Sequence, residues 1–373
     1  MRARTAAAAV VLLGGLLGGC QTAVPGSPGI SAVDQQKVDR ITEERAAVEA
    51  AITSIEQAPA LLYTATVKDA SGKPADQQFR ITRRGSAVGM LPIDGRPVHL
   101  AIADGQLYLQ ADADYWKAHA VDQGAQFGTN WVRTIGTELP LDPAARLAPA
   151  KLAAGLRGAM VTMDPLAEPV KTKLPDGTEV YELGVAPSTL RVTTAKPNRV
   201  VSFAPALLDP QTGAKLGAEF RVEPIAVDAL KKFHDDLDGT IGGITQPFDG
   251  LAQASAVVVS DNLNCQDFVG TCVTTADVSN SVVGGPPSGN TVHIVLNVEV
   301  SADGLGGQTC TTDGDAAPYA TIKMSCSVKF KLPNKTASYQ VLSKPTASAE
   351  VRAAVDAGAV KQKLQSEFAA LGG

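Results

Sequence analysis

The chain is short of the residues on which most enzymes and nucleic-acid-binding proteins depend. Four histidines (His99, His119, His234 and His293) occur in 373 residues, and aromatic side chains make up only 5%. No two histidines stand at a ligand spacing, and none lies beside a candidate nucleophile. There is no G-x-S-x-G elbow, H-E-x-x-H helix, P-loop or G-x-G-x-x-G fingerprint, which removes the hydrolases, zinc proteases, NTPases and dinucleotide enzymes that carry them. Gly304-Leu305-Gly306-Gly307 comes nearest and reads as a turn between strands. Charged residues are 19%, and 33 Lys+Arg against 38 Asp+Glu leave a net charge of −5. Without a basic tract to neutralise phosphates, nucleic acid is excluded as a partner. No cofactor or metal is expected, and the chain is not read as an enzyme.

What is present begins at the N-terminus. Arg2 and Arg4 precede an uncharged, mostly apolar stretch from Thr5 to Gly19, shorter than the roughly 20 residues that span a bilayer. No second long apolar run follows. A charged start, an apolar run and small residues mark residues 1–19 as an export signal. Leu17-Gly18-Gly19-Cys20 resembles the lipobox of bacterial lipoproteins. That resemblance implies cleavage before Cys20, diacylglycerol on its thiol, and anchoring on the outer face of the cytoplasmic membrane. Residues 20–30 then read as a tether.

With Cys20 assigned to lipid, Cys265, Cys272, Cys310 and Cys326 remain. Exported chains form disulfides, and separations of seven and sixteen residues do not suit a zinc site. Four cysteines allow three connectivities. The pairing expected is Cys265–Cys272 and Cys310–Cys326, each joining neighbours across a loop or hairpin.

The hydrophobic pattern predicts an α+β fold in two parts, 31–250 and 251–373. Ser31–Asp34 resembles a capping box and opens a helical run to about Gln57, which stops at Pro59 and gives way to period-two segments around residues 61–68, 78–82, 98–102 and 107–109. Asp94-Gly95 and Asp104-Gly105 mark turns. Short helices are expected over 139–160, a longer one over Val227–Leu237, and residues 239–250 as its loop exit. The second part shows one-face-wet antiparallel strands at 291–301, 321–332 and 337–343, with a terminal helix from Ala349 to Leu371. Cys326 falls on an apolar strand face, which places its bridge at a core.

Few side chains invite a chemical role. His234 and Asp238 would share a helix face and could meet a cation; the reading adopted is an acidic helix end. Asp112 with Asp114, and Asp313 with Asp315, lack any EF-hand continuation and are read as turn acids. Tyr108, Tyr115 and Trp116 are read as sheet packing.

One run, Asp104 to Lys117 (DGQLYLQADADYWK), together with the lipobox, the polar helix and the strands after it, resembles the LppX/LprG-like actinobacterial lipoproteins over about residues 31–250. That family shares its architecture with the LolA/LolB carriers. The resemblance implies an antiparallel half-barrel with helices across its concave side, an apolar cavity, and transport of acylated lipid or glycolipid through the envelope. On that reading the inner strand faces supply Tyr63, Val67, Phe79, Ile81, Leu107 and Leu109 to the cavity, and helix residues Val38, Ile41, Val48 and Ile52 cover them. The disulfide-containing part departs from the family's one-domain form and is left for an envelope partner. The competing expectation is a non-catalytic interaction or sensing lipoprotein with a solid core.

Overall fold

A computed structural model describes residues 32–68, 73–119, 127–163, 168–217, 219–266, 269–285, 289–334 and 337–372. The expected export signal, Cys20 and the expected tether lie outside them. Residues 1–40 and 41–373 form separate units. Of the first, residues 32–40 are helical, and Val38 there is 43% exposed, so it does not point inward as expected.

The second unit is α+β. Helix α1 (Ala32–Gln57), which belongs to this unit from Ile41 on, leads into strands β1 (Ala60–Lys68), β2 (Pro74–Thr82), β3 (Ala87–Ile93), β4 (Arg96–Ala103) and β5 (Gln106–Gln110). Positive φ at Asp94-Gly95 and Asp104-Gly105 makes the two tight hairpins between β3, β4 and β5. Helix α2 (Ala113–His119), strand β6 (Val132–Thr134) and helices α3 (Pro143–Arg146) and α4 (Pro149–Thr162) follow. Prolines at their first turns and the Asp142 side chain on the Ala145 amide start α3 and α4. Strands β7 (Val170–Lys173), β8 (Glu179–Val185), β9 (Ser188–Thr193), β10 (Val200–Phe203) and β11 (Phe220–Pro224) complete an antiparallel half-barrel, in the order β7-β8-β9-β10-β11-β1-β2-β3-β4-β5-β6.

One face of this sheet meets α1 and α4. Val48, Ile52 and Ile55 of α1 and Leu152 and Leu156 of α4 pack with Tyr63, Phe79, Ile81, Leu107, Leu109, Phe203 and Phe220 in a single core. Tyr63 and Phe79 stack at 4.6 Å, with Phe203 and Phe220 edge-on around them. The Tyr63 hydroxyl donates to the Leu147 carbonyl at 2.5 Å, fastening the α3–α4 junction to the sheet.

Helix α5 (Val227–Gly243) covers the other face with Leu230, Phe233, Leu237 and Ile241. It runs past Gly239, the expected exit, because Ile241 continues the four-residue spacing of Phe233 and Leu237 and is fully buried. Strand β12 (Phe248–Asp249) then pairs parallel with β6 and antiparallel with β18 (Val341–Arg352), so the sheet passes without a break into the rest of the chain.

There β18, β15 (Thr291–Ala302) and β16 (Gly306–Ala316) face a second sheet of β13 (Ala252–Cys265), β14 (Thr271–Gly284) and β17 (Thr321–Lys329). Val292, Ile294, Leu296, Val298 and Val300 meet Ala276, Val278, Met324 and Val328 between them. Both expected disulfides are present. Cys265–Cys272 bridges registered partners of β13 and β14, and Cys310–Cys326 ties β16 to β17, joining the two sheets. The Gly304–Gly306 turn closes the β15–β16 hairpin.

The terminal helix α6 (Ala357–Ala370) begins eight residues later than expected, because Ala349 and Val351 are inward residues of β18. It packs on α5, with Val360, Leu364 and Phe368 against Phe233 and beside Val88 and Ala101. Buried Glu367 accepts hydrogen bonds from Thr82 and Ser86, fixing its last turn to the β2–β3 turn.

Candidate functional site

Seven of the ten expected cavity residues, Val48, Ile52, Tyr63, Phe79, Ile81, Leu107 and Leu109, sit in the packed core between α1 and the sheet. Ile41 is buried and Val67 half-buried, both outside that cluster. None of the ten lines the apolar pocket of this face. Among them the rings of Tyr63 and Phe79 contact Phe203 and Phe220.

The apolar pocket opens further along the same face, at the β8–β9 hairpin. Its volume is about 420 Å³. Helix α1 contributes Arg45; the end of α4 contributes Ala159, Thr162 and Met163. The hairpin supplies Leu183, Gly184, Val185 and Ser188, and Pro169, Ala206, Leu207 and Pro210 complete the wall. Leu183 belongs to the main core, and Met163 and Leu207 pack against it, so the pocket floor is continuous with the half-barrel interior. Gly184 has φ +84°, and a Cβ there would strike the Ser188 carbonyl, so this turn requires glycine. Of the wall residues, Val185 is 82% exposed. Among the described lining residues, Arg45 is the one charged side chain. Beside it, the buried carboxylate of Glu44 lies 3.6 Å from Lys171, whose ammonium stands over Tyr181.

The sequence held one signal for this pocket. Of five methionines, Met160 and Met163 fall within four residues of each other, and both lie against the core beside it. Flexible, polarizable side chains in such a cluster suit a surface that adapts to apolar ligands.

The opposite sheet face carries a polar cleft of about 370 Å³ over β7–β11. Arg191 lies at its centre, donating to Glu182 at 2.7 Å and Glu219 at 2.5 Å, while Ser202 also bonds Glu219. The two carboxylates raise the Arg191 pKa above its usual value. These groups satisfy one another and lace β8, β9 and β10 to the residue before β11, which is a structural task.

The remaining candidates disperse. His234 has Asp235 at 3.8 Å, while Asp238 pairs with Lys361 of α6 at 2.8 Å, so the two do not converge on a cation. Asp112 caps α2 through the Tyr115 amide at 2.6 Å, a local structural role as expected. Asp313 and Asp315 lie in β16, not in a turn, because the strand extends through them, and Asp315 bonds His293 at 2.8 Å. Tyr108 is a strand residue. Tyr115 and Trp116 are helical, packing from α2 onto the core with Phe127 and Phe248. No cluster of three or more potential metal ligands occurs among the described residues. No helix among them is long and apolar enough to cross a membrane. The chain matches no protein-family model and no curated protein.

Proposed function

We propose that this chain is an envelope lipoprotein, anchored through lipid on Cys20 to the outer face of the cytoplasmic membrane. In this reading it binds an acylated lipid or glycolipid and does no chemistry on it. The observation that carries the reading is the apolar pocket between α1, the end of α4 and the β8–β9 hairpin. Its volume of about 420 Å³ lies within the range of roughly 300–1,000 Å³ typical of small-molecule sites. Each methylene buried there would contribute about 0.8 kcal/mol before the costs of association. Support for the compartment comes from the two disulfides, which persist where the surroundings are oxidising. The resemblance to the LppX/LprG-like lipoproteins favours lipid over other apolar ligands and puts the ligand on the helix-covered side of the half-barrel.

The test is native mass spectrometry of the full chain from an envelope preparation, with displacement of a fluorescent fatty acid. Ala159→Trp should fill the pocket and abolish uptake while thermal unfolding stays normal. Val67→Trp, away from the pocket, should bind as wild type. A chain that carries no lipid and takes up no fatty acid refutes the reading.

A second reading keeps the anchor and replaces the ligand with a protein or cell-wall partner. The observation in its favour is the solid interior around Tyr63 and Phe79.

A further inference from the structure

We infer that the polar cleft over β7–β11 binds an acidic sugar, a hexose carrying a carboxylate or a phosphate. The inference goes beyond the lipid-binding reading and does not depend on it.

The cleft has a paired floor and an unpaired rim. On the floor, Arg191 of β9 is held between Glu182 of β8 and Glu219 before β11, and buried Ser202 of β10 bonds Glu219. That network does not use up its acceptors. Glu182 and Glu219 stay 31% and 38% exposed, so their remaining oxygen lone pairs can be reached from the cleft. A carboxylate accepts at about four such sites. One guanidinium against two carboxylates leaves the floor net negative, which favours hydrogen-bond donors and disfavours a bare anion. Sugar hydroxyls meet that demand, because each both donates and accepts. Thr172 adds a hydroxyl of its own, and Leu174 and Pro175 offer an apolar wall to the C–H face of a ring.

The rim has the opposite sign. Lys173, the last residue of β7, and Arg221 of β11 line the same cleft, and both are exposed. Neither forms an ion pair with a described residue. Both stand by the β7–β8 turn. The stem of Lys173 runs beside Gly177. Asp176 of that turn accepts from the Thr178 amide at 2.9 Å, which holds its carboxyl below the usual range, and the Arg221 charge lowers it further. A lysine ammonium and an arginine fork are the two groups that bind carboxylate and phosphate oxygens. The cleft is therefore bipolar, and its ligand has to be bipolar too, with hydroxyls toward the floor and an oxyanion toward the rim. Inorganic phosphate satisfies only the rim, and a neutral sugar only the floor.

Calorimetric titration of the full chain with glucuronate, glucose 6-phosphate, glucose and inorganic phosphate at low salt tests this. At least one acidic sugar should bind ten times or more tightly than glucose and than phosphate, and the tighter of the two identifies the acidic group. Raising the salt to about 0.15 M, where charges are screened beyond roughly 8 Å, should weaken the acidic sugar more than glucose. Lys173→Gln with Arg221→Gln should bring the acidic-to-neutral ratio close to one at an unchanged unfolding midpoint, since both side chains are exposed. Lys344→Gln, an exposed cation on β18, should leave the ratio as in wild type. Acidic sugars no tighter than glucose, inorganic phosphate as tight as they are, or an undiminished ratio in the double variant would overturn the assignment. So would a chain that binds none of the four.

Discussion

Replacing Tyr63 by Phe removes one oxygen from the centre of the half-barrel and leaves the aromatic packing in place. The side chain is wholly buried, stacked on Phe79 and ringed by Phe203 and Phe220. Its hydroxyl donates to Leu147, which is itself fully buried. Loss of a typical hydrogen bond costs about 0.5–1.5 kcal/mol, and a buried acceptor left without its donor costs roughly 1–3. Water cannot easily replace the donor there, so Tyr63→Phe should destabilise the fold by about 1–2 kcal/mol. Tyr63→Ala also deletes the ring and should cost about 3–5 kcal/mol, as aromatic-to-alanine changes in cores do. Urea unfolding followed by tryptophan fluorescence gives both values. The hydroxyl holds the junction of α3 and α4, and the end of α4 walls the apolar pocket. Tyr63→Phe should therefore also speed release of a bound fatty acid. A Tyr63→Phe chain within about 0.3 kcal/mol of wild type would show that the hydroxyl does not fasten this junction.

Three further outcomes are expected. Burial raises the Tyr63 pKa well above 10, so the unfolded chain ionises first; this contribution to stability is complete below about pH 10 and is lost as pH rises above it. Alkaline titration at the phenolate absorbance should show fewer tyrosines ionising in the native chain than in urea, and equal numbers would refute the burial. Replacing Cys310 and Cys326 together by Ala opens a loop of sixteen residues and should cost about 3 kcal/mol by the chain-entropy model, read as an earlier denaturant midpoint; an unchanged midpoint would count against the cross-sheet tie. Cys20→Ser should move the protein out of the membrane fraction and remove diacylglycerol from its mass, and a lipidated Cys20→Ser chain would refute the anchor.

Local pattern made much of the fold legible. Alternation over Val292–Val300 and Met324–Phe330 corresponds to buried faces of β15, β17 and the residues after β17, and the cysteine spacings lead to the two observed bridges. Helix ends were less legible. Gly239 is a poor helix former, yet Ile241 has a core to enter, so burial outweighs local propensity. Ala349 suits a helix as well as a strand, and pairing with Ile294 decides for the strand. The pocket was hidden for a different reason. An inward-facing Leu109 reads the same whether its neighbour is a ligand or a phenylalanine ring. The ring contacts of Tyr63, Phe79, Phe203 and Phe220 appear only in the folded packing. The pocket itself is assembled from a helix end, a hairpin and residues 206–210, which no single stretch of alternation marks.

Helix α6, formed by residues 357–370, lies over strands formed by residues 87–103. The surface it seals cannot close until nearly the whole chain is available. A chain threaded outward from its N-terminus would hold Val88, Ala101, Leu230 and Phe233 open to water while the two disulfides form further along. Contacts of such long sequence separation form late and slowly. A stop introduced anywhere before Leu364 would therefore leave the half-barrel, not only the disulfide-linked sheets, with a bare apolar flank. Residue 250 divides the pattern of the sequence, while the strand pairing of the fold runs across it.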